Sequence, residues 1–264
     1  MNTTDVIIFI QTWLKHKGYY LGAINGNFDP AIIEAIDKTQ KVPIIWSTKR
    51  KMVGMLQIIC LEYDEDPGDI DGYIGPSTKY AYDNVMAFIN TGKKPAVWRP
   101  EELITQVPIK WPKQNSTEFM DFYGAKGSQL VYADCPYPMK IAWNPNQVVN
   151  RFSCHTKVKS SIEKVLREVL NHYGDDQVRK LRLNYFGGCY NDRPMRGGTL
   201  PSMHSWGIAI DFDPANNGLH WGRDKATFAQ PAYEAWWNIW EKEGWVSLGR
   251  LRNFDWMHVQ AATL

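Results

Sequence analysis

The sequence predicts an α+β chain, with an all-helical, internally duplicated N-terminal unit followed by a domain that mixes helices with short strands. Three observations carry this. Residues 7–36 and 53–82 repeat each other without a gap at an offset of 46, the mark of a duplicated supersecondary unit. Residues 91–114 are irregular, with Gly92, Pro95, Pro100, Pro108 and Pro112, the composition of a semi-extended linker. Beyond them, apolar residues recur at period two around Ile208 and Val259 and at helical spacing in two other stretches, so strands and helices share one domain. The expected division is 1–90, 91–114 and 115–264.

Each N-terminal repeat reads as helix, turn, helix. In the first, Ile7, Ile10, Trp13 and Leu14 lie at helical spacing, Asn25-Gly26 marks a turn, and Pro30 opens a second helix. The second repeats the order: Gln57 aligns with Gln11, Asp71-Gly72 with Asn25-Gly26, and Pro76 with Pro30.

In the second domain, Asn115-Ser-Thr-Glu118 is suited to cap a short helix. Tyr137–Trp143 reads as an extended edge. Val158, Ile162, Val165, Leu166, Val169 and Leu170 form one helical stripe stopped by Gly174, expected to pack under a sheet. Leu181, Leu183 and Tyr185 alternate as a strand. Tyr233, Trp236, Trp237 and Trp240 form an aromatic stripe on a helix closed by Gly244, read as core.

The chemistry concentrates in Ser202-Met-His-Ser-Trp-Gly-Ile-Ala-Ile-Asp211 and Asp255-Trp-Met-His258. Ile208, Ile210 and Phe212 alternate with Gly207, Ala209 and Asp211, so a half-buried strand presents Asp211 from a face with little bulk. His204, seven residues before Asp211, can join it only from a turn that Gly207 permits. A second short strand offers His258. Two imidazoles and a carboxylate match a catalytic zinc, which takes three protein ligands and leaves one position open. Asp255, three residues before His258, is placed to act as general base on the attacking water; the same spacing also allows it to orient a ligand instead. On the loop before His204, Arg193 and Arg196 offer guanidinium groups for a substrate carboxylate or a developing oxyanion.

These residues resemble the zinc D-alanyl-D-alanine carboxypeptidase and L-alanyl-D-glutamate peptidase family, whose members cut bacterial peptidoglycan stem peptides and include many phage endolysins. The likeness extends through Phe186-Gly-Gly-Cys-Tyr-Asn-Asp-Arg-Pro-Met-Arg-Gly-Gly198 and Glu243-Gly-Trp245, most of the second half of the chain. It implies a small antiparallel-sheet zinc peptidase domain of the hedgehog/D-Ala-D-Ala peptidase type. His204, Asp211 and His258 are then the Zn²⁺ ligands, Asp255 the base, and Arg193 rather than Arg196 the anion partner. The chain departs from the family at Met257 and Val259, where members often carry Pro and Phe. The second N-terminal repeat, through Gly68-Asp-Ile-Asp-Gly-Tyr-Ile-Gly-Pro-Ser-Thr78, is similar to the peptidoglycan-binding helical module of wall hydrolases. The first repeat departs from that module, with Asp29 for Gly and Ile32 for Thr.

Composition bounds the alternatives. The 264 residues carry a net charge of +2, with 8 Lys and Arg against 11 Asp and Glu over residues 1–92 and 22 against 17 thereafter. That basic excess is too mild for a nucleic-acid-binding stripe but suits an anionic wall polymer. Cys60, Cys135, Cys154 and Cys189 have no regular spacing and are expected to be free thiols. No apolar run reaches about 18 residues, and the first residues do not read as a secretion signal. The expectation is a monomer made in a host cytoplasm, without membrane insertion, that acts on bacterial peptidoglycan. For an endolysin, cutting L-Ala-D-Glu is favoured over trimming a terminal D-Ala. Ser161-Ile-Glu-Lys164 matches the S-x-x-K of serine acyl-enzymes, but no S-D-N or K-T-G accompanies it. A non-catalytic wall-binding protein with a vestigial metal site is the rival from another class.

Overall fold

The structure, a computed structural model, describes residues 2–94, 110–195 and 198–264. They fall into two compact units, one carrying the N-terminal helices and one carrying the sheet. Among the described residues no helix is long and apolar enough to cross a membrane.

The N-terminal unit contains α1 (Thr3–His16), α2 (Pro30–Thr39), α3 (Thr48–Glu62) and α4 (Pro76–Thr91). Proline opens both α2 and α4, where its missing N–H costs nothing. The helix α3 touches each of the other three. Ile10, Leu14, Ile32, Ile36, Leu56 and Ile59 are fully buried between them, each contributing about 1.5–3 kcal/mol of transfer free energy.

The duplication extends to buried polar contacts. Gln11 Oε1 accepts from the backbone N–H of Asn25 (3.1 Å) and Gly26 (2.9 Å), and its Nε2 donates to Asn27 O (3.1 Å). In the second repeat Gln57 Oε1 accepts from Gly72 N (2.9 Å) and its Nε2 donates to Tyr73 O (3.1 Å). Gly26 and Gly72 are left-handed, with φ of 72° and 71°, which is why both repeats carry glycine at this turn. The repeats differ where the sequences do. Thr78 Oγ1 receives Gln57 Nε2 (3.1 Å) in the second; in the first, Asp29 caps α2 and accepts from Tyr20 Oη (3.0 Å).

The second unit is mixed α+β. It contains α5 (Thr117–Tyr123), β1 (Leu130–Ile141), β2 (Asn144–His155), α6 (Lys159–Lys180), β3 (Tyr185–Gly188), β4 (Ala209–Phe212), α7 (Glu234–Lys242), β5 (Val246–Ser247), α8 (Leu248–Arg252) and β6 (His258–Gln260). The six strands form one sheet in the order β2-β1-β3-β4-β6-β5. The sheet, expected to be mainly antiparallel, is mixed: β1 and β3 run parallel, with β2 and α6 between them in the chain, and the other four pairs are antiparallel. The segment read as an edge, Tyr137–Trp143, belongs largely to β1, which is paired on both sides; β2 and β5 are the edge strands. The strand expected from Leu181 starts at Tyr185, because residues 181–184 form a turn with Arg182 at φ 57°.

Other expectations hold. Ser116 caps α5, accepting from Phe119 N at 3.1 Å. The helix α6 breaks at Gly174 (φ 69°) before resuming, and its apolar stripe of Ile162, Val165, Leu166 and Val169 is fully buried, with α6 packed against β1. The tryptophans of α7 are core, Trp236 meeting Phe212 of β4 edge to face at 4.9 Å. Of the expected linker, residues 95–109 lie outside the described residues. Residues 110–114 pack onto this unit: Trp111 is buried against Trp245, and Lys113 bridges to Thr263.

Candidate metal centre

Two adjacent strands and one turn build the site. In the antiparallel β4–β6 pair, Asp211 stands directly opposite His258, so their side chains share one face of the sheet within reach of each other. Phe212, the next residue of β4, turns to the other face and packs on α7. His204 arrives from a 3-10 turn, Met203–Trp206, which Ser202 caps and left-handed Gly207 (φ 70°) ends. A β-carbon on Gly207 would stand 3.0 Å from Leu130 Cδ2 and 3.1 Å from His155 N. Glycine is therefore required here by both conformation and space.

His258 Nδ1 lies 2.9 Å and His204 Nε2 3.3 Å from Asp211 Oδ1, and one ligand atom from each of the three residues falls within 4.8 Å of the others. Ligand atoms about 2.0–2.1 Å from a tetrahedral ion stand about 3.3 Å apart, close to both His–Asp separations, and the two rings would close toward an ion seated between them.

The hydrogen-bond partners behind the rings fix which nitrogen of each carries the proton. His204 Nδ1 is 2.7 Å from the Cys189 carbonyl, which can only accept, so the proton of the neutral ring is on Nδ1 and the lone pair on Nε2. That Nε2 is buried and makes no hydrogen bond. His258 Nε2 is 3.2 Å from Gln260 Oε1, which leaves its Nδ1 lone pair facing Asp211. Two lone pairs and a carboxylate oxygen converge in a buried space. Such a set repels itself unless a cation or added protons lie between, and a metal ion with nitrogen and oxygen ligands meets the requirement.

Charge follows the geometry. Burial pulls His258 down, but its hydrogen bond to Asp211 and the charges of Asp255 and Asp211 outweigh this and raise its pKa. Burial works against an ionised Asp211, yet His204 and His258 hold its carboxyl far below the usual range. Asp255 behaves oppositely: burial, reinforced by the charge of Asp211, pushes it up to about 6 against the pull of His258, His204 and Arg193.

Asp255 is buried in the left-handed region at φ 54°, a conformation Asp tolerates better than most residues but which still costs on the order of 1 kcal/mol. Its N–H donates to Leu219 O (3.0 Å), and its carbonyl accepts from His258 N (3.0 Å). Its Oδ1 is buried without a hydrogen-bond partner. A carboxylate oxygen so placed beside the three ligands is available to a reacting proton.

Arg193 is anchored to the His204 turn through its backbone. Its N–H donates to Ser205 Oγ (3.2 Å), and its carbonyl accepts from Ser205 Oγ (3.0 Å) and Ser202 N (3.0 Å). Its guanidinium is partly exposed and its charge is felt at Asp255. Arg196 lies outside the described residues.

Three contributors were not singled out from the sequence: the Cys189 carbonyl, Ser205 and Gln260. Only Gln260 left a signal, sharing the His258 face of β6 two residues on. The S-x-x-K match is structural: Ser161 Oγ, buried, donates to Glu243 (3.2 Å) and accepts from Trp245 Nε1 (3.0 Å), while Lys164 pairs with Glu243.

The fold and site together define a two-unit α+β protein with a buried His–Asp–His group that could hold a metal ion. Comparison of the chain with family models, curated proteins and solved structures gave no match.

Proposed function

We propose that this protein is a zinc-dependent peptidase that cuts peptidoglycan stem peptides, with the helical repeats as its wall-binding part. The observation that carries the reading is the convergence of His204 Nε2, Asp211 Oδ1 and His258 Nδ1, lone pairs inward, beside the unpartnered Asp255 Oδ1. The substrate class comes from the resemblance of these residues to the D-alanyl-D-alanine carboxypeptidase and L-alanyl-D-glutamate peptidase family.

A zinc ion held by these ligands supplies Lewis acidity toward the scissile carbonyl and the attacking water. The chain's own groups do the rest. Asp255 Oδ1 takes a proton from the water and returns it to the leaving amine nitrogen. Burial, which raises its pKa to about 6 in the metal-free site, would offset part of the lowering that a bound cation brings. The Arg193 guanidinium holds a substrate carboxylate or the oxyanion that develops during attack.

The preferred bond is L-Ala-D-Glu, because only an internal cut in the stem weakens a cross-linked wall. The test is mass spectrometry of purified peptidoglycan digested with and without chelator. Chelator-sensitive release of new D-Glu N-termini supports this reading. Free D-Ala without new L-Ala C-termini reassigns the enzyme as a D-alanyl-D-alanine carboxypeptidase, and no product with zinc present would leave a wall-binding protein.

A further inference from the structure

His258 is held at both ends of its ring, and the far end carries information about the near one. Gln260 Oε1 lies 3.2 Å from His258 Nε2. The orientation of this amide is fixed without reference to the histidine. Its nitrogen lies 3.0 Å from the Ala262 carbonyl and 3.1 Å from Gln114 Oε1. A backbone carbonyl only accepts, so the group facing it is NH₂ and the group facing His258 is oxygen. An oxygen there requires a proton on His258 Nε2, and at 3 % exposure Gln260 has little water to compete for that bond.

We infer that Gln260 is a positioning residue: it fixes the His258 ring and its tautomer so that Nδ1, and not Nε2, is the metal-binding atom, and Gln114 holds Gln260 in that orientation. Gln114 is itself fixed, its N–H donating to Thr263 O at 2.9 Å beside the Lys113–Thr263 bridge. The chain thus runs from the segment preceding α5, through two amides, to the ligand on β6. A partner that orients a ligating imidazole typically changes metal affinity 10- to 100-fold, an effect of this size being expected only if the hydrogen bond, rather than the bulk of the side chain, matters. The inference rests on His204, Asp211 and His258 being a metal centre.

The test compares Gln260→Met with Gln260→Glu. Methionine keeps the length and loses the acceptor; glutamate keeps an acceptor toward His258, loses the donor to Ala262 and Gln114, and adds a charge. Zn²⁺ affinity is measured by competition with a chromogenic chelator, beside the thermal stability of each metal-free variant. Positioning predicts that Gln260→Met binds Zn²⁺ about 10- to 100-fold more weakly, while Gln260→Glu recovers most of the loss. A role in packing alone predicts the reverse order, since methionine fills the site and a buried charge disrupts it. If Gln260→Met fails to fold, ¹⁵N NMR of the wild-type histidines with ¹¹³Cd²⁺ bound decides. Cadmium coupling to Nδ1 with a proton on Nε2 supports the inference; coupling to Nε2 overturns it. Wild-type protein that binds Zn²⁺ no better than Gln260→Met sinks this inference alone, whereas wild-type protein that binds no Zn²⁺ or Cd²⁺ removes the metal centre as well.

Discussion

Asp211 and His258 face each other across neighbouring antiparallel strands, with Oδ1 2.9 Å from Nδ1. The Nε2 proton of His258 is already committed to Gln260, so the contact with Asp211 needs either a second proton on the ring or a cation.

Asp255→Asn should retain zinc and lose turnover by about 10²- to 10⁴-fold, the usual range for a general acid–base residue. Asp255 must be ionised to accept a proton, and a bound cation draws its pKa below the value near 6 of the metal-free site. The acid limb of kcat/KM should therefore fall at or below about pH 6. Near-normal turnover in Asp255→Asn would make Asp255 an orienting group.

The same substitution should stabilise the metal-free fold. A buried carboxyl whose pKa rises from about 3.9 unfolded to about 6 folded binds protons more tightly in the folded state. It costs stability as pH rises through that window. The advantage of Asp255→Asn over wild type should open between about pH 4 and pH 6, reach the order of 1–3 kcal/mol, and then level off. Thermal unfolding in chelator checks it; a gap independent of pH would contradict it.

Zinc affinity should rise with pH. The raised pKa of His258 means that this ring, protonated in the metal-free site, must release a proton to bind metal. Its favourable contribution to metal-free stability is fully present below about 6.5 and is lost as pH rises through the higher folded value. Calorimetric titrations with Zn²⁺ at pH 6 and pH 8, in buffers of different ionisation enthalpy, should show weaker binding and more protons released at pH 6.

Gln11→Leu and Gln57→Leu should each destabilise the N-terminal helices by a similar amount, about 2–3 kcal/mol, because each strands the backbone groups of a turn it pins. Chemical denaturation of the full chain, followed by far-UV circular dichroism, measures both. A large difference between them would contradict equivalent roles.

These glutamines illustrate what the sequence made legible. The offset of 46 aligned Gln11 with Gln57 before any contact was known, because a duplicated turn needs the same side chain in the same place. Asp211 and His258 were likewise readable, since each lies on a short strand whose apolar residues face the other way. The strand β2 was not. Residues 144–148 are exposed, so the first part of this strand lacks the apolar alternation that marks a half-buried strand. The parallel β1–β3 pair depends on the return of the chain through β2 and α6, which local periodicity does not report. Gln114 meets Gln260 from 146 residues away, and the choice of Nδ1 on His258 depends on that contact.

Metal content decides whether His204, Asp211 and His258 form one metal centre. Wild-type protein and His204→Ala, each loaded with Zn²⁺ and freed of excess, are compared by elemental analysis alongside circular dichroism. One zinc per wild-type chain and almost none in a folded His204→Ala is the expected result. Wild-type protein without zinc, or a His204→Ala variant that keeps it at full occupancy, would show that these three residues do not form a metal centre.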